Sequence, residues 1–392
     1  MNKNGEKLDK YCLVSSGGTP SKKNLFYYEN GSILWATIAD MEKSDGIVLD
    51  TKLKITEKGL SSIGNRIFPK DTLFLAMYGS VGKVAIAGKE MAVNQAILGI
   101  QPKNENEIFI PYLKYWLMHN KPKIVNKARG GILKNLSAKI VKNIKIELPS
   151  YSDQKKIANL LTQVETLIAK REESIGLLDE LLRSSFLDMF GDPVLNSKGW
   201  DKKTCIDVAS CLVPTRDKPK SFSGGIPWIT TNNLIDKGRI KIDRDNYLGL
   251  SKEEMKQVKV RIIPKGSVIF TCVGDLGIVS INDEDIVMNQ QLHSFQCFDE
   301  VNNVFMMFNI SFQKRYMYKY ASKTTVPYMN KTTCNKIPII LPPKPLQDKF
   351  ATIVKQVEST KEQYQKSLDE LRDLFGSLSQ RAFRGELKIN HS

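Results

Sequence analysis

The chain has 392 residues, enough for two or three domains that each bury a core of their own. Hydrophobic residues make up 41% of it, yet no apolar run reaches the roughly 18 residues a membrane span needs, and the lysines of MNKNGEKLDK precede no apolar segment. A transmembrane or secreted protein is therefore not expected. Six scattered cysteines without a C-x-x-C pair suit reduced thiols in the cytoplasm.

The formal net charge is +16, and its placement is informative. Residues 1–148 hold 23 Lys+Arg against 13 Asp+Glu, and residues 191–344 hold 22 against 15. The stretches 149–190 and 345–392 are close to neutral, with 5 against 7 and 8 against 7. Two basic blocks separated by neutral segments suggest two contacts with one polyanion.

Block one opens with a loop, SSGGTPSKKNLFYYENGSILW (15–35), leading into a strand at residues 33–38. In residues 66–102, short β-rich runs alternate with glycine turns, as in a compact sheet or small barrel. An aromatic helix is predicted near Tyr112–His119. A basic stretch follows, from Lys114 through Lys121, Lys123, Lys127, Arg129, Lys134, Lys139 and Lys142 to Lys145, and IKIELPS ends the block at Pro149.

Residues 151–190 contain no proline and one glycine, Gly176. Apolar residues fall at Ile157, Leu161, Val164, Ile168, Ile175, Leu178, Leu182 and Met189 in alternating steps of four and three, with Arg171 and Ser185 filling the gaps. This heptad seam predicts a long helix paired with another helix, with Ser152 and Asp153 as its N-cap and first-turn acid. FGDPVLNSKGW (190–200) is a linker.

Block two repeats block one. Trp35-Ala36-Thr37 matches Trp228-Ile229-Thr230 at an offset of 193, and Leu148-Pro149 and Gln154 match Leu341-Pro342 and Gln347 at the same offset. Pro69-Lys70, Gly79, Gly82 and Asn94-Gln95 match Pro264-Lys265, Gly274, Gly277 and Asn289-Gln290 at 195. The seam also returns, in Phe350, Val354, Val357, Tyr364, Leu368, Leu371, Phe375 and Ala382. The two long helices are expected to pair with each other. Predicted boundaries are 1–148, 149–190, 191–344 and 345–385, with a tail at 386–392.

No catalytic constellation is found. His119, His293 and His391 are isolated, and no spacing suits a metal. GSVGKV (79–84) lacks the first glycine and the Ser/Thr of a phosphate loop, and the second copy, GDLGIV, lacks the lysine, so both read as tight turns. Glu254-Met255-Lys256 looks like a nuclease E-x-K fragment, but no paired aspartate accompanies it, and a solvated helix face is expected there.

If the blocks read different bases, the readers lie where the blocks differ. Donors suited to phosphates or base edges in those stretches are Lys22, Lys23, Asn24, Tyr27, Lys127 and Arg129 in block one, with Ser80 and Lys83 on the first turn. In block two they are Arg216, Lys218, Lys220, Arg239, Arg244, Arg315, Tyr318, Lys323 and Thr324. Each competes with the plainer reading of a solvated surface charge. Asn94-Gln95 and Asn289-Gln290, being repeated, are expected to hydrogen-bond the fold itself.

With GGTPS (17–21), RIFPKDTLFLAMYGSVGKVAIAGKEMAVNQ (66–95), IELPSYSDQKKIANLL (146–161), MNQQLHSF (288–295), IPIILPPKPLQDKFA (337–351) and LSQRAFRGEL (378–387), the chain resembles the specificity subunits of type I restriction-modification systems. The resemblance implies an α+β fold. Two homologous β-rich target-recognition domains would be separated by two long antiparallel coiled-coil helices with approximate two-fold symmetry. Each domain would read half of a bipartite site in double-stranded DNA. The helices would set the spacing and dock two methyltransferase subunits, joined by two restriction subunits. This chain would bind no cofactor, since S-adenosylmethionine, ATP and magnesium serve the partners. A nuclease, or a DNA-binding regulator acting alone, is the alternative from residue chemistry.

Overall fold

The structure is a computed structural model that describes residues 5–128, 136–214 and 218–387, without the side chains of residues 127 and 128. The chain forms two compact units, Met1–Glu172 with Ser367–Ser392, and Glu173–Lys366. Both long helices cross the division: Tyr151–Phe190 and Lys344–Phe383 each give part of their length to either unit.

In the first unit a five-stranded sheet runs in the order Cys12–Ser16, Ile97–Pro102, Leu73–Ala76, Val84–Ala87, Ile47–Val48. Neighbours are antiparallel except the last pair, which is parallel. A three-stranded sheet, Lys54–Ile55, Ile33–Ala36, Ala92–Val93, lies with it, and Glu6–Lys7 pairs with Lys145–Ile146. The central strand Leu73–Ala76 is buried on both faces. Because strand side chains alternate, Leu73 and Leu75 join one core with Leu113 and Trp116 of the helix Ile110–Ala128. Phe74 and Ala76 join a second core with Ala36, Met41 and Val93.

The second unit repeats this topology. Its five-stranded sheet is Ala209–Leu212, Leu292–Cys297, Val268–Thr271, Val279–Ile281, Gly238–Arg239, again with only the last pair parallel. Its smaller sheet is Gly249–Leu250, Ile226–Ile229, Val287–Met288. Val268 and Phe270 face one core and Ile269 the other. The matched tripeptides end corresponding strands, where Thr37 and Thr230 cap the next helical turn with Asp40 and Asn233 as reciprocal partners.

The matched glutamines are wholly buried. Gln154 donates to the carbonyls of Glu107 and Pro149 at 2.9 and 3.1 Å and accepts from the Phe109 N–H at 2.9 Å. Gln347 donates to Glu300 and Pro342 at 3.2 and 2.8 Å and accepts from Asn302 at 2.9 Å. The repeat thus preserves complete satisfaction of a buried amide.

The N-cap of the first long helix is Ser150 rather than Ser152. Its Oγ accepts from the Asp153 N–H at 3.1 Å and donates to the Asp153 carboxylate at 2.7 Å. Helical backbone already begins at Tyr151, directly after Pro149-Ser150, so Ser152 lies inside the first turn. Gly191 at φ 75° and Gly385 at φ 73° stop the two helices in the left-handed conformation.

Along both helices most heptad positions are buried or half-buried, although Phe186 and Phe190 are buried just off the seam. In the first unit Ile157, Leu161 and Val164 are buried and Ile168 half-buried, while Ala382 is buried beside Phe375 and Leu378. In the second, Leu182, Phe350, Val354 and Val357 are buried, with Leu178 and Tyr364 half-buried. The second unit shows an antiparallel pair: Phe186 meets Phe350 at 5.3 Å, and further along Asp179 meets Lys361 at 2.8 Å. Seam residues and their immediate neighbours also pack on each unit's own helices. Tyr115 and Tyr112 meet Phe375 and Phe383 at 6.0 and 5.6 Å, and Phe186 stacks on Phe305 and Phe312 at 5.8 and 5.1 Å.

Candidate nucleic-acid interface

Register fixes which loops share an end of each sheet. In the first unit Ser16 pairs with Leu98, Ala76 with Ile97 and Leu75 with Val84. The loop after Ser16, the turn 77–83 and residues 94–96 therefore leave from one end. Backbone bonds tie them together: Gly18 N–H to Val93 O at 2.9 Å, and Met77 N–H to Ala96 O at 2.8 Å. In the second unit Leu212 pairs with Ser294, Thr271 with Leu292 and Phe270 with Val279, which groups the loop after Leu212, the turn 272–278 and residues 289–291. Cys272 N–H bonds Gln291 O at 2.9 Å.

The two turns are alike in backbone and unlike in chemistry. Gly79 and Gly82 have φ of 61° and 78°, and Gly274 and Gly277 have 82° and 80°, values side chains resist. They are the tight turns expected from sequence. Between and after the glycines stand Ser80, Val81 and Lys83 in one unit and Asp275, Leu276 and Ile278 in the other. Ser80 donates to Glu42, and the Lys121 side chain covers Gly82. In the second unit Asp275 accepts from Lys314 at 2.9 Å and from the Tyr318 hydroxyl at 3.1 Å, and Lys314 holds its carboxyl below the ordinary value. Gly274 N–H bonds Pro327 O at 2.9 Å and Val273 bridges to Tyr328, joining loop 321–329 to the turn.

Two long carboxylate-free stretches of sequence reach this end. No carboxylate occurs between Glu107 and Glu147, nor between Glu300 and Asp348. The second of these stretches carries Lys314, Arg315, Lys319, Lys323, Lys331, Lys336 and Lys344. Its helices begin beside the second long helix, where Asn302 bonds Asp348 at 2.7 Å, and reach the turn at Lys314. Arg315, Lys319 and Lys323 are exposed, with Tyr318 and Tyr328 45% and 47% exposed among them.

Some of the residues predicted from sequence gather here. Lys22 and Lys23 are exposed on the loop after Ser16, and Lys218 and Lys220 on its counterpart. Asn24 caps a short turn by accepting from the Phe26 N–H at 3.2 Å, with half-buried Tyr27 behind it. Ser80 and Lys83 sit on the first turn. Thr324 donates to Val326 O at 2.9 Å and shapes its own loop. The Lys127 side chain, Arg129, Arg216, Lys134 and His391 lie outside the described residues.

Arg239 and Arg244 do not join this group. Arg239 pairs with Ile281, at the opposite end of the sheet, and lies 3.2 Å from Asp283 and 3.8 Å from Glu358 of the second long helix. Arg244 places both terminal nitrogens on Glu284. Lys121, Lys314, Lys319 and Tyr328 lie at this end and are not among the readers predicted from sequence. The signal that finds them is the carboxylate-free stretch, visible in both blocks.

The expectation of a solvated face at Glu254-Met255-Lys256 is corrected. Glu254 is 8% exposed and accepts from Ser221, Ser223 and Ser251, which hold its carboxyl down to about 2. A capping box needs its acid turned in on the loop it closes. Asn94 and Asn289 accept from Ala96 and Gln291 N–H at 3.0 and 3.1 Å, a scaffold role. His293 is buried against Phe270 and Phe295. Among the described residues no cluster of His, Cys, Asp and Glu is placed to hold a metal, and no helix is long and apolar enough to cross a membrane.

A family model described as the type I restriction modification DNA specificity domain matches residues 7–177 and again 197–372. The chain belongs to this family. It is a DNA specificity subunit of a type I restriction-modification system, and its part is recognition, not catalysis. The MjaIX specificity subunit of Methanocaldococcus jannaschii is 24% identical over 416 aligned residues, 96% of this chain and 91% of that one. The EcoR124I/EcoR124II specificity subunit of Escherichia coli is 26% identical over 176 residues, 43% of each chain. The S subunit from M. genitalium shares the fold with a TM-score of 0.59 at 15% identity, covering 100% of this chain and 98% of that one. A chain solved in work on type I assembly and conformational transition gives 0.61 at 15%, covering 99% and 100%. The α+β architecture of two β-rich repeats, each with a long helix, is that of the specificity subunits. Such a subunit works on DNA and in assembly with other subunits.

Proposed function

We propose that each unit reads one tract of a bipartite site in duplex DNA, using the cationic end of its five-stranded sheet. The observation that carries this is the contrast between the matched turns. The backbone is the same, while Ser80, Val81 and Lys83 stand where the other unit has Asp275, Leu276 and Ile278. A shared frame with different edges suits two different base tracts. Exposed Lys22, Lys23 and Lys121 in the first unit, and Lys218, Lys220, Arg315, Lys319 and Lys323 in the second, are the phosphate and base-edge contacts of this reading. The predicted domain limits, 1–148 and 191–344, belong to the same reading, with the long helices adding residues to both cores.

The heptad phase kept along both long helices supports a second role for them. Each has 40 residues, about 60 Å at about 1.5 Å per residue, more than one duplex turn of about 34–36 Å. They act as a ruler for the gap between tracts and as the seat of two methyltransferase subunits. Those partners bind S-adenosylmethionine, and accompanying restriction subunits use ATP and magnesium, all in the cytoplasm.

Sequencing of methylated adenines in cells with and without this chain tests the proposal. The expected result is a motif of two tracts around unread positions. Substitutions at the sheet end of the first unit change one tract and leave the other, and one heptad added to both helices lengthens the gap. An uninterrupted motif, or a gap indifferent to the heptad, overturns it.

A further inference from the structure

Phe26 and Leu25 are 75% and 61% exposed, beside two exposed lysines. Large apolar side chains this open on a loop are usually loose, but this loop is fixed. Asn24 caps the turn, and Thr56 bonds it twice: its hydroxyl donates to Phe26 O at 2.9 Å and its N–H to Tyr27 O at 3.0 Å. The Tyr28 hydroxyl donates to Pro20 O at 2.6 Å, and its ring meets Trp35 edge-on at 6.0 Å. Gly59 leaves room for this docking, because a Cβ there would stand 2.6 Å from Tyr27 O. The backbone is thus held to the body of the unit while the two apolar side chains point into solvent.

We propose that Phe26, supported by Leu25, is a wedge that inserts between stacked base pairs of the tract read by the first unit. This rests on that unit reading duplex DNA. Apolar wedges unstack a base step at a cost that the contacts of the bent duplex offset. Lys22 and Lys23 supply the charge complementarity, holding phosphates beside the step. Glu29 is the carboxylate that follows, at the far side of the turn. Paired lysines beside an apolar tip match a base step flanked by phosphates.

Among its described residues, the corresponding loop of the second unit is built differently. Phe222, on the corresponding loop, packs against Trp228 at 6.0 Å, and Ser221 and Ser223 are spent on Glu254. The wedge is therefore assigned to the first unit.

The test uses the chain in complex with its methyltransferase partners and a duplex carrying its site. The adenine analogue 2-aminopurine, which brightens on unstacking, is placed in turn at each position of both tracts. Apart from the adenines that the methyltransferases themselves flip out of the stack, a several-fold rise is expected at one step of the first unit's tract. Phe26→Ala should abolish it and weaken binding roughly tenfold, the scale of one lost base–aromatic stack. Phe26→Trp should restore both. Specific binding with no rise outside the flipped adenines, or with such a rise unchanged in Phe26→Ala, overturns the wedge and leaves the reading of DNA intact. A Phe26→Ala chain that melts normally but no longer assembles with its partners also overturns it, assigning Phe26 to a protein contact. A wild-type complex with no preference for the site removes the underlying reading as well.

Discussion

Lys114 Nζ lies 2.7 Å from Glu165 Oε2, tying the helix Ile110–Ala128 to the first long helix inside the first unit. The lysine is 6% exposed, and the Tyr115 hydroxyl donates to the same carboxylate oxygen at 2.7 Å. Although it opens the basic stretch, Lys114 belongs to the core. Glu165→Ala should strand a buried ammonium and cost about 3 kcal/mol in urea unfolding. Lys114→Met with Glu165→Leu should recover most of that loss. If the single change costs no more than an exposed ion pair, the lysine escapes to water.

The paired glutamines make a parallel prediction. Gln154→Leu or Gln347→Leu leaves a buried N–H and two carbonyls without a partner, so each should cost about 2 kcal/mol. The two share no partner, and the double variant should show the sum. A small loss at only one site would mean that the two units do not use the amide alike.

His293 predicts a pH dependence. Burial pushes its imidazole down to about 3 from the ordinary 6.5, so the folded chain holds it neutral. The unfolded chain takes up a proton below about pH 6.5 and the folded chain does not. Stability is therefore full above that pH and falls progressively towards pH 3. His293→Phe, packed between Phe270 and Phe295, should remove this contribution to the slope of stability against pH between 6.5 and 4. A slope identical to that of the unaltered chain would disprove the assignment.

Salt dependence separates the two ends of the sheet. Lys121→Ala and Lys323→Ala should each reduce the salt slope of DNA binding by about 1. Arg244→Ala, which removes a guanidinium already neutralised by Glu284, should leave the slope unchanged. The reverse pattern would move the contact surface to the other end.

Leu181 and Leu374 stand at the same position of the repeat, 193 residues apart, and are 47% and 46% exposed on the long helices. If the methyltransferases dock there, Leu181→Asp or Leu374→Asp should reduce their co-purification while leaving the melting temperature within about 2 °C. Full recovery of the complex from the double variant would exclude that face.

Much of this molecule is legible in its residues because repetition and periodicity are local signals. The offsets of 193 and 195 locate the matched turns, caps and glutamines, and the four-three spacing from Ile157 to Met189 marks the helix and its buried line. A period names a face, however, and not what covers it. Nothing in the spacing tells that Phe375 and Phe383 pack on Tyr115 and Tyr112, or that Phe186 enters the core around Phe305. Residue type was also insufficient for the arginines. Arg239 and Arg244 look like phosphate contacts until strand register puts them with Asp283 and Glu284. The absence of carboxylates between Glu300 and Asp348 was a usable signal that a search for positive residues alone passes over.

The sharing of both long helices between the units has a consequence for shortened versions of the chain. A product ending near Phe190 would contain every strand of the first unit but none of the segment that brings Phe375, Ala382 and Phe383 to its core. Its own Leu182, Met189 and Phe190 occupy the corresponding places of the repeat, with no second globule to receive them. Two copies of such a half can each lend the other the missing helical segment. A gene fragment encoding one repeat would then give a symmetric dimer.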